Sequence, residues 1–155
     1  SPLVVAASPA LPELRAIAQG CLTKHHVHHY RGFAANQWKL VAAEPAPRVK
    51  PLLYVFRVLL TGIWLMRTGE LQAHLPTLNQ AFGLPYLDDL IQRKRTGPEK
   101  GTLEASDLAF YAAEFARLDA ELAAASEASH LPDAPSAEPA LHDLLVRLRL
   151  GTYTP

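Results

Sequence analysis

The stretch VKPLLYVFRVLLTGIWLM, residues 49–66, is almost continuously apolar. A chain that carries such a segment must bury it inside a fold or place it in lipid. Its apolar heart, residues 51–66, falls short of a bilayer-spanning length and is interrupted by Arg57. It therefore reads as the central helix of a folded domain, with Leu, Val, Ile, Phe and Trp pointing in every direction. Yet Lys50, Tyr54, Arg57, Thr61 and Trp64 fall on one stripe of that helix, at about 100° per residue. No acidic residue in the helix neutralises the cations, and a buried unpaired charge is expensive. Two arrangements would resolve the conflict. The cations pair with acids further along, such as Asp88, Asp89 or Asp107, or the stripe faces a bound anion, with Arg57 as a fork for phosphate oxygens and Lys50 as a point charge.

Around this helix the apolar spacing is helical nearly everywhere. The opening PLVV reads as a short strand or an extended lead-in. A first helix is expected from Pro12 to Gly20, and a second from an N-cap at Thr23 until Pro45 and Pro47 end it. The third starts near Arg48, tolerates Pro51 in its first turn, and stops at Gly69. A looser stretch with Pro76, Gly83 and Pro85 leads to a fourth helix, YLDDLIQRKR; TGPEKG is a loop. A long amphipathic helix rich in Ala, Leu and Glu begins at Leu103. Residues 131–140 form a linker to a last short helix, ALHDLLVRLRL. The expected fold is all-α: one domain over residues 1–155, a bundle of five to six helices around residues 51–66.

Charge is distributed unevenly along the chain. Residues 1–67 hold eight Lys and Arg against Glu13 and Glu44, a balance of +6, and residues 68–155 carry the opposite balance. Either the first half faces an anion or the two halves attract each other. Cys21 is the single cysteine, which excludes an intrachain disulfide framework and a multi-cysteine zinc site and fits a reduced, cytoplasmic setting. The first residues lack the basic region and apolar run of a signal peptide, so neither a leader nor a membrane partner is expected.

Several clusters invite chemistry. In the second helix His25, His29, Gly32, Asn36 and Lys39 make a polar stripe opposite Val27, Tyr30, Ala34, Trp38 and Val41. HHVHH places His25 and His29 one turn apart but lacks the Glu of a HExxH zinc motif and any third ligand, so no metal is assigned to it. QRKRTGPEKG gathers Arg93, Lys94, Arg95 and Lys100, which suit a solvated helix C-terminus or, beside a cleft, a phosphate or RNA backbone. No Walker loop, Gly-rich phosphate cradle or GxSxG elbow occurs. Cys21 beside Lys24 and His25 reads as a small packed residue before an activated thiol. Arg67 and His74 match the R-x(4–6)-H spacing of HEPN-type ribonucleases, although Gly69 breaks the helix between them.

SPLVV, HHYRGFAANQ, KPLLYVFRVLLTGIWL and LIQRKRTGPEKGTL occur in this order over residues 1–105. Together they resemble the C-terminal part of nucleotidyltransferases of the RlaP type, in the DNA polymerase beta superfamily. In that superfamily a Gly-Ser turn and a D-x-D or D-x-E pair in an N-terminal catalytic domain hold magnesium and a nucleoside triphosphate. This sequence has no such turn and pair; Asp88 and Asp89 are adjacent and diverge on a helix. The resemblance thus implies a C-terminal helical domain, without catalytic residues, metal ligands or cofactor of its own, that walls the nucleotide cleft of a longer magnesium-dependent enzyme. Lys50, Tyr54 and Arg57 become candidates for the wall facing the triphosphate, with His29 and Tyr30 bordering it. The implied partners are the N-terminal catalytic domain, the triphosphate, and an RNA end or small-molecule acceptor. The rival expectations are a non-enzymatic helical interaction module and a HEPN-like ribonuclease.

Overall fold

The computed structural model describes residues 4, 6–97, 102–103 and 107–154. Within them the chain is all-α: α1 (Leu11–Ala18), continued by a 3-10 turn at Gln19–Cys21, α2 (His26–Ala43), α3 (Val49–Thr68), α4 (Leu75–Phe82), α5 (Pro85–Thr96), α6 (Asp107–Glu127) and α7 (Glu138–Arg149). Of PLVV only Val4 is among the described residues, exposed and outside any strand, and the loop cation Lys100 falls outside them. The chain divides into two compact units, Ser1–Thr23 with Leu131–Pro155, and Lys24–His130.

In the unit Lys24–His130, α3 is the spine. Arg48 precedes it in an extended conformation, and Gly69 ends it at φ 73°, a left-handed position where a Cβ would be strained. Leu52, Val55, Phe56, Leu59, Leu60, Ile63, Leu65 and Met66 are completely enclosed. Each such side chain contributes roughly 1.5–3 kcal/mol of burial relative to leaving it in water. On one side α2 presents Val27, Ala34 and Val41, seven residues apart along one stripe; α6 presents Tyr111, Leu118 and Leu122. Trp38 and Phe115 stack at 5.2 Å between centroids. Packing is closest at Gly62, where an added Cβ would lie 3.0 Å from the Tyr30 Cβ and 3.1 Å from both Leu122 methyls.

Helix α3 is long and apolar enough to cross a membrane, so residues 51–66 understated its length. Its surroundings argue against spanning: two-thirds of the apolar window (67%) is buried inside the protein.

The region expected to be irregular contains α4. Pro76 and Gly83 had suggested breaks, but the proline sits in the first turn, where its missing N–H costs nothing, and Gly83 (φ 63°) provides the C-terminal stop. Asn79 then ties α4 to α5. Its buried amide donates to the Leu84 carbonyl (3.1 Å) and Asp88 Oδ1 (2.9 Å), and its oxygen accepts the Leu84 N–H (3.0 Å). Past α5, the Leu103 N–H donates to the Pro47 carbonyl at 2.8 Å, fastening the lead-in of α6 beside the start of α3.

The other unit joins α1 to α7. The Arg147 guanidinium pairs with Glu13 and with Asp143 and lies over the Tyr153 ring, 5.4 Å from its centroid. Gly20 does not stop α1 in a left-handed turn; the chain tightens into the 3-10 turn instead. Its lack of a side chain lets Ser136 approach, since a Cβ would meet Ser136 Oγ at 2.9 Å and the Gly20 carbonyl accepts the Ser136 N–H. Nor does Thr23 occupy the N-cap of α2: the helix begins at His26, and His25 stands at the cap position without a side-chain cap bond.

Candidate functional site

The polar stripe of α3 emerges at the rim of its unit. Lys50 is exposed, Tyr54 is 40% exposed and Arg57 is half-buried, so none incurs the cost of an enclosed charge. Thr61 and Trp64, further along the stripe, turn into the packing, Thr61 fully buried and Trp64 partly. Lys50, Tyr54 and Arg57 form one wall of a cleft of about 380 Å³; His74, Leu75 and Pro76 at the start of α4 form the floor. Ile91, Lys94 and Arg95 close it from the last turns of α5, where spacing i, i+3, i+4 puts them on one face. His74 is oriented by its Nδ1, 2.8 Å from the Thr77 hydroxyl.

Four cations and a histidine thus share a cleft whose lining includes no acidic residue. Among the described residues none of Lys50, Arg57, Lys94 and Arg95 makes an ion pair, whereas Arg31, Arg48, Arg67, Arg93, Arg117 and Arg147 all do. The acids once considered as partners are engaged elsewhere or open to solvent. Asp88 accepts from Asn79, Asp107 lies 3.8 Å from Arg93, and Asp89 is exposed. The N-terminus of α4 adds its partial positive charge to the floor. Such a lining favours an anion.

Arg57 rests on Tyr54, its guanidinium carbon 4.1 Å from the ring centroid, a cation–π contact that holds the fork at the mouth of the cleft. On the far side of Tyr54 a second cavity, about 460 Å³, is lined by Phe33, Gln37, Arg48, Lys50, Pro51 and Tyr54. The Phe33 and Tyr54 rings lie 5.7 Å apart at 44°, and His29 continues the row, 6.3 Å from Phe33. Arg48 is bound by Glu44 at 2.6 Å.

The structure therefore brings Lys50, Tyr54 and Arg57 together and sets His29 at the outer end of the aromatic row. Tyr30 lines neither cavity: its Cβ lies over Gly62 in the α2–α3 packing, and burial pushes its hydroxyl above the usual tyrosine range. Arg67 and His74, the ribonuclease-like pair, take different partners, Arg67 pairing with Glu121 at 2.8 Å while His74 lines the cleft. His25 and His28 stack at 6.0 Å, and among the described residues no three His, Cys, Asp or Glu side chains gather. Phe33 and Gln37 were not singled out from sequence, although the spacing His29, Phe33, Gln37 marks one face of α2. A cavity of about 500 Å³ between α1 and α7 is larger but lined almost wholly by Ala and Leu, so it offers no group for chemistry.

A protein of Methanocaldococcus jannaschii, described as uncharacterized, is 34% identical over 61 residues, which span 39% of this chain and 25% of that protein. The chain thus matches about a quarter of that relative's length. No solved structure matches. The model of the RlaP family, described as the RNA repair pathway DNA polymerase beta family, matches residues 1–147, nearly the whole chain, and the chain belongs to that family.

Proposed function

We propose that this chain supplies the helical wall of a nucleotidyltransferase cleft and holds the phosphates of a nucleoside triphosphate without catalysing transfer by itself. One observation carries the reading: Lys50, Arg57, Lys94 and Arg95 converge on one cleft, free of ion pairs among the described residues, while Arg31, Arg67 and Arg117 are paired. The described residues do not suit the magnesium ions of such an enzyme, because no carboxylate cluster stands near the cleft. The metal-binding carboxylates and the attack on the α-phosphate therefore belong to a catalytic domain, with an RNA end or a small molecule as acceptor. A reduced, cytoplasmic setting accords with the lone Cys21.

The test is binding of inorganic triphosphate to the chain by calorimetry at low salt, repeated with R57A and with K94A/R95A. Each exposed phosphate contact in water-filled surroundings should be worth about 1 kcal/mol, roughly five-fold in affinity, and binding should weaken steeply with salt. Triphosphate affinity that is absent, or unchanged in the K94A/R95A protein, removes the reading. The interaction-module reading has its own support in Leu14, Leu145, Leu148 and Leu150, which α1 and α7 leave exposed. It predicts a tight, nucleotide-independent protein complex together with no triphosphate affinity.

A further inference from the structure

We infer that the second cavity is a nucleobase subsite, so that a nucleoside triphosphate lies across the Lys50–Tyr54 ridge with its base against Phe33 and Tyr54 and its phosphates in the basic cleft. The inference rests on the phosphate-binding reading of that cleft and adds which end of the ligand goes where.

Three observations carry it. The cavities adjoin, because Lys50 and Tyr54 line both. Their charges differ: the cleft holds four cations without ion pairs among the described residues, whereas in the second cavity Arg48 is neutralised by Glu44 at 2.6 Å, leaving Lys50 at the shared edge. A ligand with one strongly anionic end and one flat, weakly polar end fits that division in a single orientation. Finally, the second cavity has the two group types a base requires. Phe33 and Tyr54, 5.7 Å apart, offer ring faces and edges, and Arg57 already covers one face of Tyr54 from the cleft side, so the remaining approach is from the cavity side. Gln37, on the same face of α2 as Phe33, makes no side-chain hydrogen bond to the described residues, and its carboxamide offers one donor and one acceptor to a base edge. Phe33 and Gln37 are thereby specificity residues, and Tyr54 is the hinge between the two subsites.

The experiment compares three ligands, inorganic triphosphate, ATP and adenosine, on the full chain and on F33A and Q37A, by calorimetry and by saturation transfer to the adenine protons. Phe33 and Gln37 are both half-buried, so the thermal melts of F33A and Q37A are taken first, and either variant serves if the other does not fold. The expected result is that ATP binds about five- to a hundred-fold more tightly than inorganic triphosphate. F33A or Q37A then erases most of that advantage while leaving triphosphate affinity unchanged, and adenine protons receive more saturation than ribose protons. Equal affinity for ATP and triphosphate, or an advantage that survives both substitutions, overturns the base subsite and leaves the phosphate cleft standing. Failure of both ligands to bind overturns the cleft itself and the subsite with it.

Discussion

Gly62 is where the fold can be tested most sharply. It lies in the middle of α3, where replacing glycine by alanine should stabilise a helix by about 1 kcal/mol from propensity alone. Here the new methyl would meet the Tyr30 Cβ at 3.0 Å and the Leu122 methyls at 3.1 Å. Unstrained carbon contacts begin near 3.5 Å, so three atoms must retreat by several tenths of an ångström. The Tyr30 Cβ is fixed to the backbone of α2, and Leu122 is completely enclosed, so relief requires α2 or α6 to shift as a whole. Overpacking of this kind costs about 1–3 kcal/mol, which exceeds the propensity gain. G62A is therefore expected to be destabilised by about 1 kcal/mol, and G62V by considerably more. Gly32 provides the control: it lies in α2 with no atom within 4 Å of an added Cβ, and G32A should be more stable than the parent. Urea unfolding followed by circular dichroism reads both. A G62A protein as stable as G32A would refute the close approach of α2 and α6 over α3.

Two further substitutions probe polar anchors. Asn79→Ala leaves the Leu84 N–H without its partner in a half-buried turn, while the Leu84 carbonyl keeps the Leu87 N–H, so it should cost about 1–3 kcal/mol in the same unfolding experiment; no measurable loss would mean that the α4–α5 junction relaxes to water. The Arg147 guanidinium holds the Glu13 carboxyl below the usual carboxylate range. A lowered folded value means that the stabilisation is present above the ordinary glutamate pKa and disappears as the pH falls through the lowered one. Amide protection along α1 should accordingly decline on acidification from pH 5 toward pH 3 in the parent and stay flat, at the lower level, in E13Q. An identical decline in E13Q would assign it to another group.

What could be read from sequence depended on whether a signal was local. The ends of α3 were legible because Pro51 and Gly69 act through their own backbone, and its central burial followed from apolar residues on every side. Helix α4 was missed because Pro76 and Gly83 carry the same signal whether they break a helix or bracket a short one; only Asn79, holding Leu84 and Asp88, makes the bracket. Thr23 carries a cap residue's chemistry, but α2 begins three residues later, at His26, with His25 at the cap position. For the candidate site, the Lys50, Tyr54 and Arg57 stripe was visible as periodicity. That Lys94 and Arg95 complete the same cleft depended on the α4–α5 turn, and no spacing along the chain expresses that turn.

The uneven charge of the chain resolves in part through pairing between its halves. Arg31 and Arg67 reach across to Asp119 and Glu121 of α6, at 2.7 and 2.8 Å, so part of the basic half is indeed bound to the acidic half. Those pairs are exposed, and exposed pairs are worth no more than about 0–1 kcal/mol each, so stability does not explain why some cations are paired and others not. Geometry does. Helix α6 lays its acids beside the face of α3 that carries Arg67, while Lys50 and Arg57 look out between α4 and α5, whose contribution to the shared cleft is Lys94 and Arg95. Bringing like charges together in one concavity is unfavourable, modestly so in water, and it gives nothing to the free protein. The arrangement becomes favourable when an anion of high charge density enters, because every contact is then attractive and no acid has to be displaced. The cations in the most apolar helix of the chain are thus tolerated because they sit at its rim, and the proposed triphosphate would give them a common partner.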